Sequence, residues 1–290
     1  MKKNLFFLFL AIALSACNAE RNRSIAQPEK RIVSLAPSLT KNLYFLEAQE
    51  KIVGVTSFCV EMDNAVIVAS AIAPNIERIV ALRPDFVLVA GTLTSPESIA
   101  TLRRFGIQVE IFDTANSFDK ICEQFLRLGE LIGKKEKATR IVSESRERVA
   151  AVSSALLLRT SASLSNHSAT EIEQTLNIFF QIGANPLFTV LPNTFMDDYI
   201  RFLGGRNIAE NLTRGTIGRE FVIVQNPDFI FIATMGVVSE EEKNVWSRHT
   251  QMSAAREGRI FTIDADIACL PTPVTFAQTM EILYELIRDN

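Results

Sequence analysis

Histidine and cysteine are scarce in this chain of 290 residues, which contains two histidines and four cysteines. Proteins that hold a divalent transition metal directly usually surround it with several imidazole or thiolate ligands. No two cysteines have the C-x-x-C spacing, and His167 and His249 fall in a predicted linker and near a predicted helix end. A zinc or manganese site is therefore not expected, and no resident cofactor is predicted.

Concentrated positive charge and long apolar runs are also lacking. The formal net charge is −3 at pH 7, whereas nucleic-acid binding needs a basic face, so a nucleic-acid partner is not expected. The apolar run at residues 5–14 is ten residues long, and a membrane-spanning helix needs about 20. Since Met1-Lys2-Lys3 precedes that run, residues 1–16 are predicted to be a signal peptide and not an anchor.

The predicted signal peptide ends in Leu14-Ser15-Ala16-Cys17, which resembles the lipobox of bacterial lipoproteins. The resemblance implies cleavage before Cys17 and a lipid on its thiol. An ordinary secretory signal with a cysteine nearby is the alternative. Because two or more acyl chains anchor a protein firmly, a lipidated Cys17 implies an exported protein held at a membrane face. Residues 17–30 would then be the lipidated cysteine and a flexible polar tether.

One segment of the sequence occurs twice, at residues 83–90 and 226–233. Both copies contain Pro-Asp-Phe followed by apolar residues, the pattern of a buried strand in an α/β sheet. Glu77 and Glu220 each lie eight residues before the aspartate of their copy, and Glu97 and Glu240 each lie seven residues after its final alanine. Two copies so far apart predict two similar lobes.

Strand patterns alternate with helix patterns in both halves, which predicts an α/β fold with parallel sheets covered by helices. The first lobe is assigned to residues 31–116 and the second to residues 171–290. Between them, at residues 117–170, residues 134–158 are predicted to form one long helix that spans both lobes. Two helices broken near Ser153 are the alternative. Residues 159–170 are rich in serine, threonine and alanine and are predicted to be a linker.

Six segments together resemble one family. In order from about residue 30 to the C-terminus, they are residues 31–40 (RIVSLAPSLT), 51–56 (KIVGVT), 75–85 (NIERIVALRPD), 183–189 (GANPLFT), 202–209 (FLGGRNIA) and 258–264 (GRIFTID). These segments are similar to those of the class III substrate-binding proteins of ABC importers for cobalamin and ferric siderophores, which have two α/β lobes joined by one long helix. The resemblance implies a monomeric carrier without catalysis, which delivers a metal chelate or corrinoid to ABC permease and ATPase subunits.

Ligands of open parallel α/β sheets bind beyond the carboxyl ends of the strands, so two facing lobes form a cleft from two such edges. The candidate cleft residues follow predicted strands and are Ala36, Pro37, Ser38, Phe58, Cys59, Gly91, Thr92, Asn185, Pro186, Met235, Gly236, Asp266 and Cys269. In the family, an aromatic residue that contacts the ligand often occupies the position of Phe58; packing beneath the loop is the alternative. Cys59 and Cys269 would bridge the lobes, ligate a group, or act as small apolar fillers.

Apart from Cys17, the chain has three cysteines. Cys59, Cys122 and Cys269 are an odd number, so they cannot all pair within the chain. Cys122 falls on a helix pattern and is predicted to be a buried, small apolar side chain.

Two departures from the family pattern bear on the ligand. Lys41 follows Thr40 where the family usually has glutamate, and Val274 follows Pro273 where the family often has a cleft arginine. Arginine recognises anionic chelates through parallel hydrogen bonds, so its shortage disfavours a carboxylate siderophore and favours cobalamin or a hydroxamate complex. Haem ligation is disfavoured as well, because the three tyrosines fall on predicted helices at packing positions; they are Tyr44, Tyr199 and Tyr284.

Glu97, and one of Glu240, Glu241 or Glu242, are predicted to open the equivalent helix of each lobe, where a carboxylate favours the helix N-terminus. In the family, one surface glutamate per lobe docks onto arginines of the permease, and these positions match; a purely local helix role is the alternative. Two other functions stay open. One is a lipoprotein that binds a protein or host partner, and the other is a chelatase-like enzyme, which is disfavoured because neither histidine lies near a predicted strand end.

Overall fold

The computed structural model describes residues 30–59, 65–70, 73–91, 94–164, 175–233 and 238–290, with side chains for all of these except 157–164. The predicted signal peptide and lipobox, with Cys17, lie outside the described residues, as do Thr92, His167, Met235 and Gly236. None of the helices within the described ranges has both the length and the apolarity needed to cross a bilayer.

The first lobe is built on a parallel sheet of five strands in the order β3-β2-β1-β4-β5. Its strands are β1 (Ile32–Ser34), β2 (Ile52–Thr56), β3 (Val66–Ala69), β4 (Phe86–Ala90) and β5 (Gln108–Phe112). Its helices are α1 (Pro37–Phe45), α2 (Ile76–Ala81) and α3 (Pro96–Arg104), and a 3-10 turn covers Gln49–Lys51. The predicted α/β alternation is confirmed, and β3 is an additional strand that the sequence pattern does not predict.

Two helices follow the first lobe, α4 (Phe118–Leu131) and α5 (Lys135–Leu164). Gly133 between them has a φ of +76°, the left-handed conformation that commonly ends a helix. Because α5 has 30 residues, it is about 45 Å long. The prediction of one long helix is confirmed and the alternative of a break near Ser153 is wrong. The helix also continues through the first part of the predicted linker, so residues 159–164 are helical and not a loop.

Side chains along α5 connect it to both lobes. Lys137 near its start forms an ion pair with Glu47, which follows α1 in the first lobe. Arg148, farther along, donates two hydrogen bonds of 2.7 and 2.5 Å to the Glu281 carboxylate on the last helix of the second lobe. One helix therefore spans the two lobes.

The second lobe has strands in the order β10-β9-β6-β7, with β8 paired to β6. Its strands are β6 (Asn177–Ala184), β7 (Leu187–Thr189), β8 (Arg206–Asn207), β9 (Phe229–Ile232) and β10 (Ile260–Thr262). Its helices are α6 (Phe195–Phe202), α7 (Arg219–Gln225), α8 (Val238–Ser247), α9 (Ser253–Arg256), α10 (Ala265–Ala268) and α11 (Pro273–Arg288). A parallel sheet was expected, but β7 is antiparallel to β6, so the sheet of the second lobe is mixed.

The repeated Pro-Asp-Phe segment has the same structural role in each lobe. Asp85 accepts a hydrogen bond from the backbone N–H of Arg31 at 2.7 Å and donates its own N–H to the Arg31 carbonyl at 2.8 Å. Asp228 makes the same pair of contacts with Asn177, both at 2.8 Å. Each aspartate thus joins the start of the repeated strand to the start of the neighbouring central strand, which fixes the register of the sheet.

Within the described residues, three apolar cores hold the molecule together. One lies on the outer face of the first sheet and includes Val87 and Ile99. Another lies on the outer face of the second sheet and includes Phe179 and Trp246. The third contains residues of both sheets together with α4, α5 and α11. Because this shared core runs from one lobe to the other, the lobes are packed on a common base.

Candidate functional site

A cavity of about 530 Å³ lies between the lobes and is here named the main cleft. Most of its lining comes from the first lobe, namely Leu35, Pro37, Thr40, Lys41, Tyr44, Thr56, Phe58, Cys59, Ala69, Ser70, Ala73, Pro74 and Thr94. The second lobe contributes Ala265, Asp266, Cys269 and Leu270. Five of the predicted cleft residues therefore meet in one cavity, namely Pro37, Phe58, Cys59, Asp266 and Cys269.

One face of helix α1 forms a wall of the main cleft. Pro37, Thr40, Lys41 and Tyr44 line the cavity, and their spacing of three, four and seven residues places them on a single face of the helix. Tyr44, predicted to be a packing residue, is half-buried and does pack against the shared core, but it also lines the cavity, which the sequence does not predict. Tyr199 is fully buried as expected. The sequence signal for this wall is the helical spacing that begins at Pro37.

The loop after β2 presents Phe58 to the cleft. The Ser57 N–H donates to the Ala69 carbonyl at 2.9 Å, and the Cys59 N–H donates to the Thr56 carbonyl at 3.1 Å. These backbone hydrogen bonds of Ser57 and Cys59 hold the loop, and the Phe58 side chain between them is 62% exposed. The alternative of packing beneath the loop is therefore not what is found, and the ring is available to an apolar ligand.

Cys59 and Cys269 line the same cavity from opposite lobes, and both are free thiols. The Cys59 Sγ lies 3.1 Å from Thr40 Oγ1 and 3.3 Å from Thr56 Oγ1. The Cys269 thiol lies 3.5 Å from the Ala233 carbonyl, and burial raises its pKa to about 11. Cys269 is thus a protonated thiol at neutral pH, which is a poor metal ligand. Cys122 is fully buried on α4, as predicted, and burial raises the pKa of its thiol to about 12.

Charged groups are few in the main cleft. Among its described lining residues, the charged side chains are those of Lys41 and Asp266, which have opposite signs, and no arginine is present. Within the described part of the chain, no three histidine, cysteine, aspartate or glutamate side chains are grouped so as to hold a metal ion. The site is suited to enclosing a bulky ligand with a largely apolar surface.

A second, smaller cavity of about 270 Å³ adjoins the main cleft and is named the side chamber. It lies between the start of α1, the end of β5 and the second lobe, and it is lined by Ala36, Pro37, Ser38, Leu39, Asn42, Ala90, Phe112, Asp113, Thr114, Ala115, Gln124, Phe195, Cys269, Leu270 and Pro271. Pro37, Cys269 and Leu270 line both cavities. The predicted residues Ala36 and Ser38 are therefore found in the side chamber.

The remaining described cleft candidates lie elsewhere. Gly91 lines another cavity, of about 540 Å³, between α3 and β5 of the first lobe. Asn185 and Pro186 are exposed in the turn that joins β6 to β7, and they line neither the main cleft nor the side chamber. The structure thus brings Pro37, Phe58 and Cys59 together with the segment around α10, and it leaves Gly91 and this hairpin turn outside both cavities.

The predicted docking acids lie on exposed helix starts. Glu97 is in the first turn of α3, after Ser95, whose side chain caps the helix by accepting from the Ser98 N–H. Glu240 and Glu241 are exposed in the first turn of α8, and Glu240 accepts a hydrogen bond of 3.0 Å from Thr262 Oγ1. The next residue, Glu242, points inward and is buried. Each lobe therefore presents an acid from the equivalent helix.

The chain is similar to known binding proteins in both sequence and fold. Residues 32–267 match the family model described as periplasmic binding protein. An uncharacterised ABC transporter substrate-binding lipoprotein of Bacillus subtilis (strain 168) is 26% identical over 276 residues, which cover 92% of this chain and 83% of that protein. A cobalamin-binding protein of Halobacterium salinarum is 30% identical over 214 residues, which cover 71% of this chain and 54% of that protein.

A solved structure shows the same fold. The crystal structure of the periplasmic heme binding protein HutB of Vibrio cholerae superposes with a TM-score of 0.74 and 16% identity, over 89% of this chain and 99% of that one. The relatives are binding proteins and not enzymes, which confirms the prediction that this chain has no catalytic role. The chain belongs to the periplasmic binding protein family, with the two-lobed fold of class III.

Proposed function

We propose that this protein is the lipid-anchored substrate-binding component of an ABC importer and that it carries a metal chelate or a corrinoid. The observation that most supports this is the main cleft, a cavity of about 530 Å³ between two lobes that share one apolar base. Small-molecule sites typically have volumes of about 300–1,000 Å³ and mostly apolar walls. The shared core and the long helix α5 favour a largely preformed cleft with little closure.

The charge of the cleft favours one class of chelate. A siderophore with several carboxylates would meet Lys41 as a cation but also Asp266 as a like charge, without an arginine to form paired hydrogen bonds. A neutral corrinoid or a hydroxamate complex avoids that cost. The similarity to a cobalamin-binding relative favours the corrinoid. Haem is the second candidate, because the Tyr44 phenol lines the cleft.

Uptake by cells tests the transport role. A strain that lacks this protein should lose high-affinity uptake of cyanocobalamin, and expression of the wild-type chain should restore it. If uptake of cyanocobalamin, haemin and ferric hydroxamates is the same with and without the protein, the transport proposal is wrong. A lipoprotein that binds a protein or host partner would then be favoured.

The lipid anchor rests on the sequence around Cys17 and on the similarity to a substrate-binding lipoprotein. Cells fed labelled palmitate should incorporate it into the wild-type chain and not into Cys17→Ala, and the variant should move from the membrane fraction to the soluble exported fraction. Equal labelling of the two proteins would contradict lipidation at this residue.

The exposed acids Glu97 and Glu240, with Glu241 beside the latter, are proposed to dock onto basic groups of the permease. One acid on each lobe fits a permease made of two equivalent halves, and the carrier would act as a monomer that engages both halves at once. A role restricted to the helix N-termini would be worth only about 0.3–1 kcal/mol of stability.

Uptake and ligand affinity together test the docking proposal. The double variant Glu97→Ala with Glu240→Ala should lose transport while its ligand affinity stays at the wild-type value. The matched control is Glu50→Ala with Glu257→Ala, which removes one exposed acid from each lobe at other positions. Normal uptake by the first double variant, or an equal loss in the control, would refute the docking assignment.

A further inference from the structure

One edge of the first sheet, here named the basic edge, lies where the strands begin. Basic residues precede four of its strands, namely Lys51 before β2, Arg31 before β1, Arg83 before β4 and Arg104 before β5. Because these strands are neighbours in the order β2-β1-β4-β5 and lie about 4.8 Å apart, the basic residues form one row. A chain with a net charge of −3 thus concentrates positive charge on one edge.

The arginines in this row have no acidic partner. Arg83 and Arg104 are exposed, and their guanidinium groups form no ion pair within the described residues. Asp85 is engaged by the backbone of β1, because it accepts from the Arg31 N–H at 2.7 Å. Glu50 is another exposed acid that precedes a strand here. Along the described part of the edge, positive charge therefore exceeds negative charge.

An exposed aromatic ring belongs to the same row. Phe105 directly follows Arg104 and is 61% exposed. The strand register pairs Phe86 with Gln108, so Arg83 and Phe105, each three residues earlier, precede their strands by the same distance along the chain. An apolar ring flanked by arginines is suited to a membrane interface, where the ring enters the headgroup region and the cations attract anionic lipids.

The matching edge of the second lobe has different residues. The sequence repeat aligns Arg83 with Asn226 and Phe105 with Arg248. Arg259, directly before β10, donates from its Nε to the Asn290 carbonyl at 3.0 Å. An exposed ring between arginines is thus a feature of the first lobe and is not repeated at the aligned positions of the second.

The proposed lipid anchor leads to the same edge. The described chain begins at Lys30, just before β1, and the Lys30 Nζ donates to the Leu131 carbonyl at 2.6 Å. Cys17 lies thirteen residues before Lys30, and a chain of that length spans at most about 45 Å. A lipid on Cys17 would therefore keep the basic edge within about 45 Å of the membrane surface.

We propose that the basic edge is a docking surface for the anionic headgroups of a membrane, with Phe105 entering the headgroup region. This inference rests on the proposed lipid anchor, which holds the edge close to the bilayer. The main cleft and the acids Glu97 and Glu240 lie beyond the opposite, carboxyl ends of the strands. A carrier on its basic edge presents an open cleft to arriving cargo, and it must turn over to engage the permease.

Vesicle co-sedimentation tests the surface without the lipid. The mature chain from residue 18 onward keeps every described residue, so it isolates binding by the edge itself. The probes are vesicles of phosphatidylcholine alone and vesicles of phosphatidylcholine mixed with phosphatidylglycerol. The test variants are Arg83→Gln with Arg104→Gln, which removes two cations of the row, and Phe105→Ala, which removes the ring.

Each test variant has a matched control. Lys120→Gln with Arg214→Gln also removes two exposed cations, which lie beyond the carboxyl ends of β5 and β8. Phe58→Ala removes a ring of equal exposure, 62%, at the main cleft. Every variant should melt at the temperature of the wild type, because the substituted side chains are exposed.

The wild type should bind the vesicles that contain phosphatidylglycerol and not those of phosphatidylcholine alone, and added salt should weaken this binding. The double arginine variant should bind about 25-fold more weakly, which corresponds to about fivefold for each charge removed. Phe105→Ala should bind about tenfold more weakly, because apolar contact with the headgroup region is lost. Both controls should bind like the wild type.

Three results would overturn the docking surface. They are no binding of the wild type to anionic vesicles, equal loss in a test variant and its control, and release by inorganic phosphate but not by chloride of equal ionic strength, which would indicate a site for a free anion. Because the chain used here carries no lipid and no permease is present, these results leave the transport proposal intact. Loss of the palmitate label on Cys17 is a separate outcome that overturns the anchor, and vesicle binding still decides the edge.

Discussion

The two lobes fasten equivalent helices to their sheets with different chemistry. In the second lobe, the buried Glu242 on α8 accepts hydrogen bonds from Gln181 on β6 at 2.8 Å and from Arg219 on α7 at 2.6 and 2.8 Å. Trp246 completes the group, because its Nε1 donates to Gln181 Oε1 at 2.7 Å and its ring lies 4.7 Å from the Arg219 guanidinium. A polar network therefore connects α8, α7 and the sheet.

The first lobe has apolar residues at the matching positions. The sequence repeat aligns Ile76 with Arg219 and Ile99 with Glu242, and the pairing of the central strands aligns Leu35 with Gln181. All three first-lobe residues pack in the core on the outer face of the first sheet. The same backbone arrangement is thus compatible with either a polar network or apolar packing at these positions. Hydrogen bonds are directional, whereas apolar contacts are not, so the start of α8 is held in a more strictly defined orientation than that of α3.

The largest expected effect comes from removing the centre of the polar network. Glu242→Ala leaves the Arg219 guanidinium and the Gln181 amide without their shared partner, and the free energy of unfolding should fall by about 3 kcal/mol. Urea denaturation measures this value. Glu241→Ala, at the neighbouring exposed position, is the control and should change the free energy by less than about 0.5 kcal/mol.

Converting the second lobe to the chemistry of the first tests the comparison further. Gln181→Leu, Arg219→Ile, Glu242→Ile and Trp246→Phe in combination replace the network with apolar side chains and leave no group unpaired. Such replacements are often neutral or stabilising, so this variant should recover most of the stability that Glu242→Ala loses. A combined variant as unstable as Glu242→Ala would mean that apolar side chains cannot replace the polar network in the second lobe.

A medium effect is expected from the two repeated aspartates. Asp228 is half-buried and Asp85 is exposed, although both accept a hydrogen bond from a strand N–H. Asp228→Ala should lower the free energy of unfolding by about 2 kcal/mol, the range for a hydrogen bond to a charged group. Asp85→Ala should cost about half as much, because water can replace its contact. Thermal denaturation of the two variants decides this, and a larger loss for Asp85→Ala would contradict the expected order.

The smallest effects concern two carboxylates that hold the second lobe to the connecting helices and should respond to pH in opposite directions. Burial raises the pKa of Asp198, which accepts from the Phe118 N–H at 2.8 Å, whereas the hydrogen bond from Arg148 lowers the pKa of Glu281. The stability from Asp198 is therefore present below its unfolded pKa of about 4 and is lost as the pH rises through the folded value. The stability from Glu281 is present above its unfolded pKa and is lost as the pH falls.

Two variants test these signs by denaturation at pH 4 and pH 7. Asp198→Asn should gain stability relative to the wild type as the pH rises. Glu281→Gln should lose stability at pH 7, by less than about 1 kcal/mol because its ion pair is partly exposed, and this loss should shrink in acid. A shift of the same sign in both variants would contradict the assignment.

The sequence predicts the frame of the molecule well, because the frame depends on local patterns. The buried runs after Pro84 and Pro227 are strands, and the unbroken apolar spacing after Gly133 gives one long helix. Pro37 and Phe58 follow the carboxyl ends of parallel strands, which is where ligands of such sheets bind. Their place in the main cleft could therefore be predicted from the sequence.

Contacts between distant residues are what the sequence does not show. Lys41 and Tyr44 join the cleft wall only because α1 turns that face toward the second lobe. Glu242 follows two exposed acids in the sequence, and it is buried because Arg219 and Gln181 meet it from other elements. The basic edge depends on the order of the strands in the sheet, which brings Arg83 and Arg104 into one row, and no sequence pattern reports that order.

Binding in the main cleft is measured most directly by calorimetric titration of cyanocobalamin, haemin and a ferric hydroxamate into the wild type, Phe58→Ala and Phe105→Ala. The two phenylalanines belong to the first lobe and are 62% and 61% exposed, but only Phe58 lines the main cleft. Saturable binding of one chelate is predicted, about tenfold weaker in Phe58→Ala because apolar contact with the ring is lost, and unchanged in Phe105→Ala. No binding by the wild type, or the same loss in both variants, would contradict a carrier whose ligand lies between the lobes.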